Sequence, residues 1–182
     1  WSDADRQLRA RVALMHRLEP EAGWPDLSDA ALQAGLADWL GPYLPGLRRL
    51  DDLADGRLRT ALSSLLDHAQ TRRLDAELPR EITVNGRARA IDYAADTPVL
   101  AVRLQDLFGQ HDTPRLAGGR LALVLHLLSP AGRPLAVTAD LAGFWRGAYT
   151  EVRKQMRGRY PKHPWPEDPL AAVPPAPRRR EP

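Results

Sequence analysis

The spacing of apolar residues changes near residue 76, and this change constrains the fold more than any other feature of the sequence. Before it, apolar residues recur every three or four positions, as from Leu8 to Met15, which is typical of amphipathic helices. After it, two short runs flank Asn85-Gly86, a dipeptide that favours the positive φ angles of a tight hairpin turn. The sequence therefore predicts a helical segment followed by strands.

Three helices are predicted in the first part of the chain. Pro20 ends the first one, and the second extends from an N-cap at Ser28 to Leu40. The third is expected over about residues 56–73, where leucines and alanines form one stripe.

The second part is predicted to contain a small sheet. Residues 81–84 and 87–93 form the hairpin strands, and residues 120–129 and 134–138 are expected to form two more. Residues 99–109 have a spacing closer to that of a short helix, closed by Gly109.

The last predicted helix is capped by Asp140 or Thr138 and has two distinct faces. Its apolar face begins with Leu141, Phe144 and Trp145. The face predicted to lie opposite is polar and mostly basic, with Arg146, Thr150, Arg153, Lys154 and Arg157.

These elements predict an α+β fold: a helical segment, then a small, mainly antiparallel sheet with helices and a long C-terminal amphipathic helix. The predicted division is a helical accessory segment at 1–76, an α+β C-terminal domain at 77–169 and a disordered tail at 170–182. The tail is rich in Pro, Ala and Arg.

Positive charge is concentrated at the C-terminal end of the chain. Residues 142–182 contain seven Arg and two Lys against three Glu and one Asp, an excess of +5, whereas the whole chain carries +3. This asymmetry indicates a polyanion or an acidic protein surface as a neighbour. The candidate nucleic-acid-binding residues are Arg146, Arg153, Lys154, Arg157, Arg159 and Lys162.

Two aromatic residues follow the last helix in a proline-rich stretch, RYPKHPWP. Tyr160 and Trp165 have two alternative roles. They either offer faces on which bases stack, or pin an extended strap to the surface of the domain.

Motifs for catalysis or cofactor binding are missing from the sequence. There is no cysteine, no GxxxxGK[ST] loop and no GxGxxG motif, and the five histidines lack the spacing of metal ligands. We therefore predict no catalytic residue, cofactor or metal in this chain. No apolar run reaches the roughly 20 residues of a membrane span, so no membrane partner is expected and a cytoplasmic location is the default.

The stretch from Ser129 to Pro169, SPAGRPLAVTADLAGFWRGAYTEVRKQMRGRYPKHPWPEDP, closely resembles the end of bacterial HrpB-type ATP-dependent helicases of the DEAH/RHA group. VLAVRLQDLFG and WPDLSDAALQAGLADWLGPYL are also similar to parts of that region. The family's motor domains carry a phosphate-binding loop and a DEAH-type box, which this sequence lacks. The resemblance implies a C-terminal accessory region whose parent protein binds ATP and Mg and hydrolyses ATP.

Two functions are compatible with these observations. The first is an accessory region of an ATP-dependent RNA helicase that contacts RNA or other single-stranded nucleic acid, or positions the motor domains of the same chain. The alternative is a protein–protein interaction module that uses the same positive face to recruit an acidic partner. Whether the chain belongs to an enzyme depends on the parent protein, because this fragment has no catalytic motif.

Overall fold

The computed structural model describes residues 1–53 and 56–175, and of Leu50 it describes the backbone. The chain divides into two compact units, Trp1–Leu78 and Pro79–Pro182. Within the described residues, no helix is both long and apolar enough to span a membrane.

The first unit is helical. Its helices are α1 (Asp3–Leu18), α2 (Asp29–Ala34), α3 (Leu36–Trp39), α4 (Arg57–Ser63) and α5 (His68–Glu77), and short 3₁₀ turns lie at Pro20–Ala22, Gly41–Tyr43 and Leu50–Leu53. The second predicted helix is divided at Gly35, the N-cap of α3. The third is divided between Ser63 and the new N-cap at Asp67, whose side chain accepts a hydrogen bond from the Gln70 backbone.

A capping box starts α1. The Ser2 hydroxyl accepts a hydrogen bond from the Asp5 backbone N–H, and the Asp5 carboxylate accepts one from the Ser2 N–H. Burial, the largest single influence, raises the pKa of Asp5, but the hydrogen bonds from Ser2 and Arg59 together outweigh it and lower the pKa below its usual value. The box and Arg59 thus stabilise a charged carboxylate at the start of the helix.

The second unit contains a five-stranded sheet. In their order across the sheet, its strands are β1 (Glu81–Val84), β2 (Arg87–Asp92), β3 (Val99–Arg103), β6 (Val124–Leu128) and β7 (Pro134–Thr138). All neighbouring pairs are antiparallel except β3 with β6, which pair in parallel from Val99↔Val124 to Arg103↔Leu128. The strands β4 (Arg115–Leu116) and β5 (Leu121–Ala122) form a separate antiparallel pair. The predicted α+β class is confirmed.

The Asn85-Gly86 turn joins β1 and β2 as predicted, with φ angles of 47° and 76°. The predicted helix at residues 99–109 is wrong. Residues 99–103 form β3, because alternate side chains, Leu100 and Val102, are buried, and only Leu104–Leu107 form a 3₁₀ turn. Gly109 has a φ of 77°, in agreement with its predicted closing role.

The C-terminal helix consists of two pieces, α6 (Leu141–Arg146) and α7 (Tyr149–Arg159). The Asp140 carboxylate caps α6 through the Gly143 N–H. The break falls at Gly147, whose φ and ψ of −120° and −89° are not helical. Glycine adopts such angles at low cost, so the helix is interrupted there.

Of the segment predicted to be a disordered tail, residues 170–175 are described and 176–182 lie outside the described residues. An Arg87 side-chain N–H donates to the Pro175 carbonyl at 2.6 Å. The predicted disorder of the tail as a whole stays a prediction.

Candidate nucleic-acid interface

The basic region is built from α7 and the extended segment that follows it, residues 160–169, which we call the strap. The Tyr160 N–H bonds to the Met156 carbonyl and ends α7. At the other end of the strap, the Pro169 carbonyl accepts a hydrogen bond from the Gly109 N–H at 2.9 Å. The strap is therefore fixed at both ends.

Trp165 is the buried residue in the middle of the strap. Its side chain is only 7% exposed, and its indole N–H donates to the Tyr160 carbonyl at 3.0 Å. Little of the ring remains for a base to stack on. These contacts favour strap packing for this residue over base stacking.

Tyr149 holds the strap from the helix side. Its hydroxyl donates to the Pro166 carbonyl at 2.8 Å, and its ring packs edge-on against Trp145 with centroids 5.2 Å apart. Burial raises the pKa of Tyr149 to about 12, and the Arg153 charge opposes this only in part.

Arg153 differs from its predicted placement. It lies four positions after Tyr149, so both side chains lie on the face of α7 that meets the strap. Its side chain is 17% exposed; Nε donates to the Trp165 carbonyl at 2.9 Å, and a terminal nitrogen donates to a Glu167 carboxylate oxygen at 2.8 Å. Arg153 is therefore a structural clamp as well as a candidate cation.

The other candidate cations are more open to solvent. Lys154 lies 3.8 Å from a Glu151 carboxylate oxygen, a weak pair on an exposed surface. Among the described residues, no carboxylate or hydrogen-bond partner is found for the exposed side chains of Arg146, Arg157, Arg159 and Lys162. These four charges are exposed to solvent and accessible to an external anion.

Tyr160 is half-buried at the start of the strap. Its hydroxyl lies 3.5 Å from the Ser129 hydroxyl, and its ring packs edge-on to His163 with centroids 6.2 Å apart. Tyr160 keeps both predicted alternatives, since its ring is not fully covered.

A cleft of about 570 Å³ lies between α7 and the strap. Arg153 and Arg157 line the helix side, and Pro161, His163 and Glu167 line the strap side. It brings together two of the six predicted cations with an exposed imidazole and a carboxylate. Arg146 instead borders a second cleft, of about 520 Å³, beside His111 and Asp168.

Sequence reasoning missed Glu167 as a partner of Arg153. Glu167 lies 14 residues from Arg153, too far for a periodic pattern to connect them. The i,i+4 spacing of Tyr149 and Arg153 was a usable signal, because it places both on one helix face.

Comparisons with known proteins identify the family of this chain. A family model described as "ATP-dependent helicase C-terminal" (HrpB_C) matches residues 39–169. The chain belongs to this family. It is 47% identical over 176 residues to the ATP-dependent RNA helicase HrpB of Escherichia coli strain K12, covering 96% of this chain and 22% of that protein.

Two solved structures of E. coli HrpB match the fold. The structure described as a DExH-box NTPase has a TM-score of 0.88 at 46% identity, over 96% of this chain and 22% of the other. The structure described as a DEAH/RHA helicase has a TM-score of 0.74 at 45% identity, over 91% and 21%. The chain thus spans about a fifth of the length of these relatives and corresponds to the helicase C-terminal domain of the family.

The part of the chain that the structure describes contains no group of three or more His, Cys, Asp or Glu residues placed to hold a metal ion. The chemistry that the interface offers is that of cations. Guanidinium and ammonium groups donate charge-assisted hydrogen bonds to phosphate or carboxylate oxygens.

Proposed function

We propose that this region is an accessory domain of an ATP-dependent RNA helicase and that it contacts single-stranded nucleic acid through α7, the strap and Arg146 at the end of α6. The observation that carries the proposal is the set of exposed cations without an internal carboxylate: Arg146, Arg157, Arg159 and Lys162. Such groups bind phosphates and thereby release the counter-ions that surround the nucleic acid. They favour no particular base sequence.

In this proposal the chemistry of ATP belongs to the rest of the parent protein. The motor domains of the parent protein bind ATP and Mg. The present region is part of the same polypeptide and adds contacts that hold RNA near these domains or position the motor. The sequence has no phosphate-binding loop, so we expect the isolated chain not to hydrolyse ATP. A cytoplasmic location is part of the same proposal.

The test is fluorescence anisotropy of a labelled oligouridylate titrated with this chain across a salt series. The variant Arg157→Gln/Arg159→Gln should weaken binding and reduce the log–log salt slope by about 1.4, since each phosphate contact to a single strand contributes about 0.7.

The matched control is Arg17→Gln/Arg72→Gln. Both residues are exposed arginines of the helical unit, and neither has a partner among the described residues. The control removes the same net charge and should leave the salt slope unchanged. Equal effects of the two double variants would mean that only net charge matters and that α7 makes no specific phosphate contact.

One contact supports the second candidate function, recruitment of an acidic protein. The Glu167 carboxylate already occupies a donor of Arg153, so the cleft accepts carboxylates. If this function is the correct one, polyglutamate should displace the labelled oligouridylate as well as unlabelled polyuridylate does at equal charge.

A further inference from the structure

The cleft between α7 and the strap contains an arginine that is held in place without losing its capacity to bind an anion. A guanidinium has five N–H donors. Arg153 gives one to the Trp165 carbonyl and one to Glu167, which leaves further donors for a ligand. Because its side chain is mostly buried, Arg153 loses little conformational freedom when a ligand binds.

Glu167 is attached differently. Its side chain is 87% exposed, and its one hydrogen-bond and ion-pair partner among the described residues is Arg153. An ion pair with one fully solvated member contributes little to stability. The carboxylate can therefore leave Arg153 at low cost, while the bond from Nε to the Trp165 carbonyl keeps the guanidinium in position.

We propose that this cleft is a phosphate subsite for a nucleic-acid backbone and that Glu167 occupies it in the free protein as a stand-in for the phosphate. Binding exchanges the carboxylate for a phosphodiester oxygen on Arg153, and Arg157 on the same wall of the cleft supplies a second cation. Glu167 thus weakens binding of the backbone and rejects ligands with a lower charge density. The inference rests on the proposed contact with single-stranded nucleic acid.

The first experiment compares Glu167→Gln with wild type, using a labelled oligouridylate at roughly 0.15 M salt, where distant charges are screened. Glu167→Gln should tighten binding by up to about fivefold, the ratio that corresponds to releasing one surface ion pair. Unchanged or weaker binding by this variant would overturn the stand-in role of Glu167.

Glu151→Gln is the matched control. Glu151 lies on α7, carries the same charge and is paired with a cation outside the cleft lining, Lys154. Its removal should change affinity less than the removal of Glu167. Equal tightening by both variants would show a general effect of net charge and would overturn the subsite.

A double-mutant cycle links the gain to Arg153. Glu167→Gln should lose its advantage when Arg153 is changed to Gln, because no guanidinium is then released. Arg153→Lys provides a second background that keeps the charge and removes the planar fork, and the gain should shrink there as well. A gain that persists in both backgrounds would overturn the proposal.

The outcomes separate this inference from the proposed function. Salt-dependent binding by wild type, lowered by Arg157→Gln/Arg159→Gln but unaffected by Glu167→Gln, would refute the subsite alone. No binding by wild type or by Glu167→Gln would refute both. Equal displacement by polyglutamate and polyuridylate at matched charge would refute the assignment to phosphate.

Discussion

Two arginine-rich regions of the second unit show how the same residue type takes opposite roles. Beside the hairpin, the Asp106 carboxylate, 2% exposed, accepts hydrogen bonds from both Arg87 and Arg89. In this partly buried hairpin cluster, its one negative charge offsets part of the two positive charges. On α7, by contrast, the cations face a backbone carbonyl, exposed carboxylates or solvent. The placement of carboxylates, more than the number of arginines, therefore decides which surface can bind a polyanion.

The hairpin cluster is also tied to the backbone. The Asn85 side-chain amide donates to the carbonyls of Asp106 and Phe108, both at 2.9 Å. Burial and these bonds make the cluster a structural element that joins the turn to the 3₁₀ segment Leu104–Leu107. No comparable carboxylate is buried in the α7 region, where Glu151, Glu167 and Asp168 are exposed.

The largest expected effect is on stability, and it tests whether packing of the strap stabilises the fold. Trp165→Ala should lower the free energy of unfolding by about 3 to 5 kcal/mol, the usual cost of truncating a buried tryptophan. Urea denaturation followed by circular dichroism measures this, with Val137→Ala, on a side chain 64% exposed, as the control. A stable Trp165→Ala variant with reduced affinity for oligouridylate would instead indicate base stacking.

The second prediction concerns the contribution of the hairpin cluster to stability. Asp106→Asn should cost about 3 kcal/mol, because two partly buried guanidinium groups lose their counter-charge. Asp112→Asn removes an exposed carboxylate and should change stability by less than about 0.5 kcal/mol. Affinity for oligouridylate per folded molecule should not change in either variant. Tighter binding by Asp106→Asn alone would mean that the hairpin arginines also bind phosphates.

The third prediction compares how two arginines of α7, Arg153 and Arg157, contribute to the free energy of unfolding. Arg153→Gln should cost about 1.5 to 3 kcal/mol, the range for a hydrogen bond with a charged partner, because it removes the bond to the Trp165 carbonyl. Arg157→Gln should cost less than about 0.5 kcal/mol, since no described residue pairs with Arg157. Thermal and urea denaturation of the two variants side by side measure the difference. Equal stabilities would mean that Arg153 is not a clamp.

Local patterns predicted the elements that depend on short-range chemistry. The turn at Asn85-Gly86 and the cap at Asp140 follow from the conformational preferences of those residues, and the structure confirms them. The helix predicted at residues 99–109 was wrong because β3 pairs in parallel with β6, which begins 25 positions further along the chain, and a helical spacing of apolar residues cannot reveal such pairing.

For the candidate site, the sequence predicted which region is basic, but not which of its cations are paired. The excess of Arg and Lys marked the region, yet the division of its cations into clamped and open ones depends on partners distant in the sequence. The partners of Arg153 lie 12 and 14 positions further along the chain, beyond a segment with three prolines whose path no periodicity defines.

The last and smallest expected effect concerns the bond from Tyr149 to the strap. Tyr149→Phe should cost about 1 kcal/mol at neutral pH, the usual contribution of a neutral hydrogen bond. The pKa of Tyr149 is raised to about 12, above the usual value of 10.0, so between these pH values the unfolded chain loses the phenolic proton while the folded chain keeps it. The contribution of Tyr149 to stability is therefore complete below pH 10 and is lost as the pH rises towards 12. Urea denaturation of wild type and Tyr149→Phe at several pH values should show their stability difference shrinking over this range. A difference that stays constant up to pH 12 would mean that the hydroxyl is open to solvent and does not hold the strap.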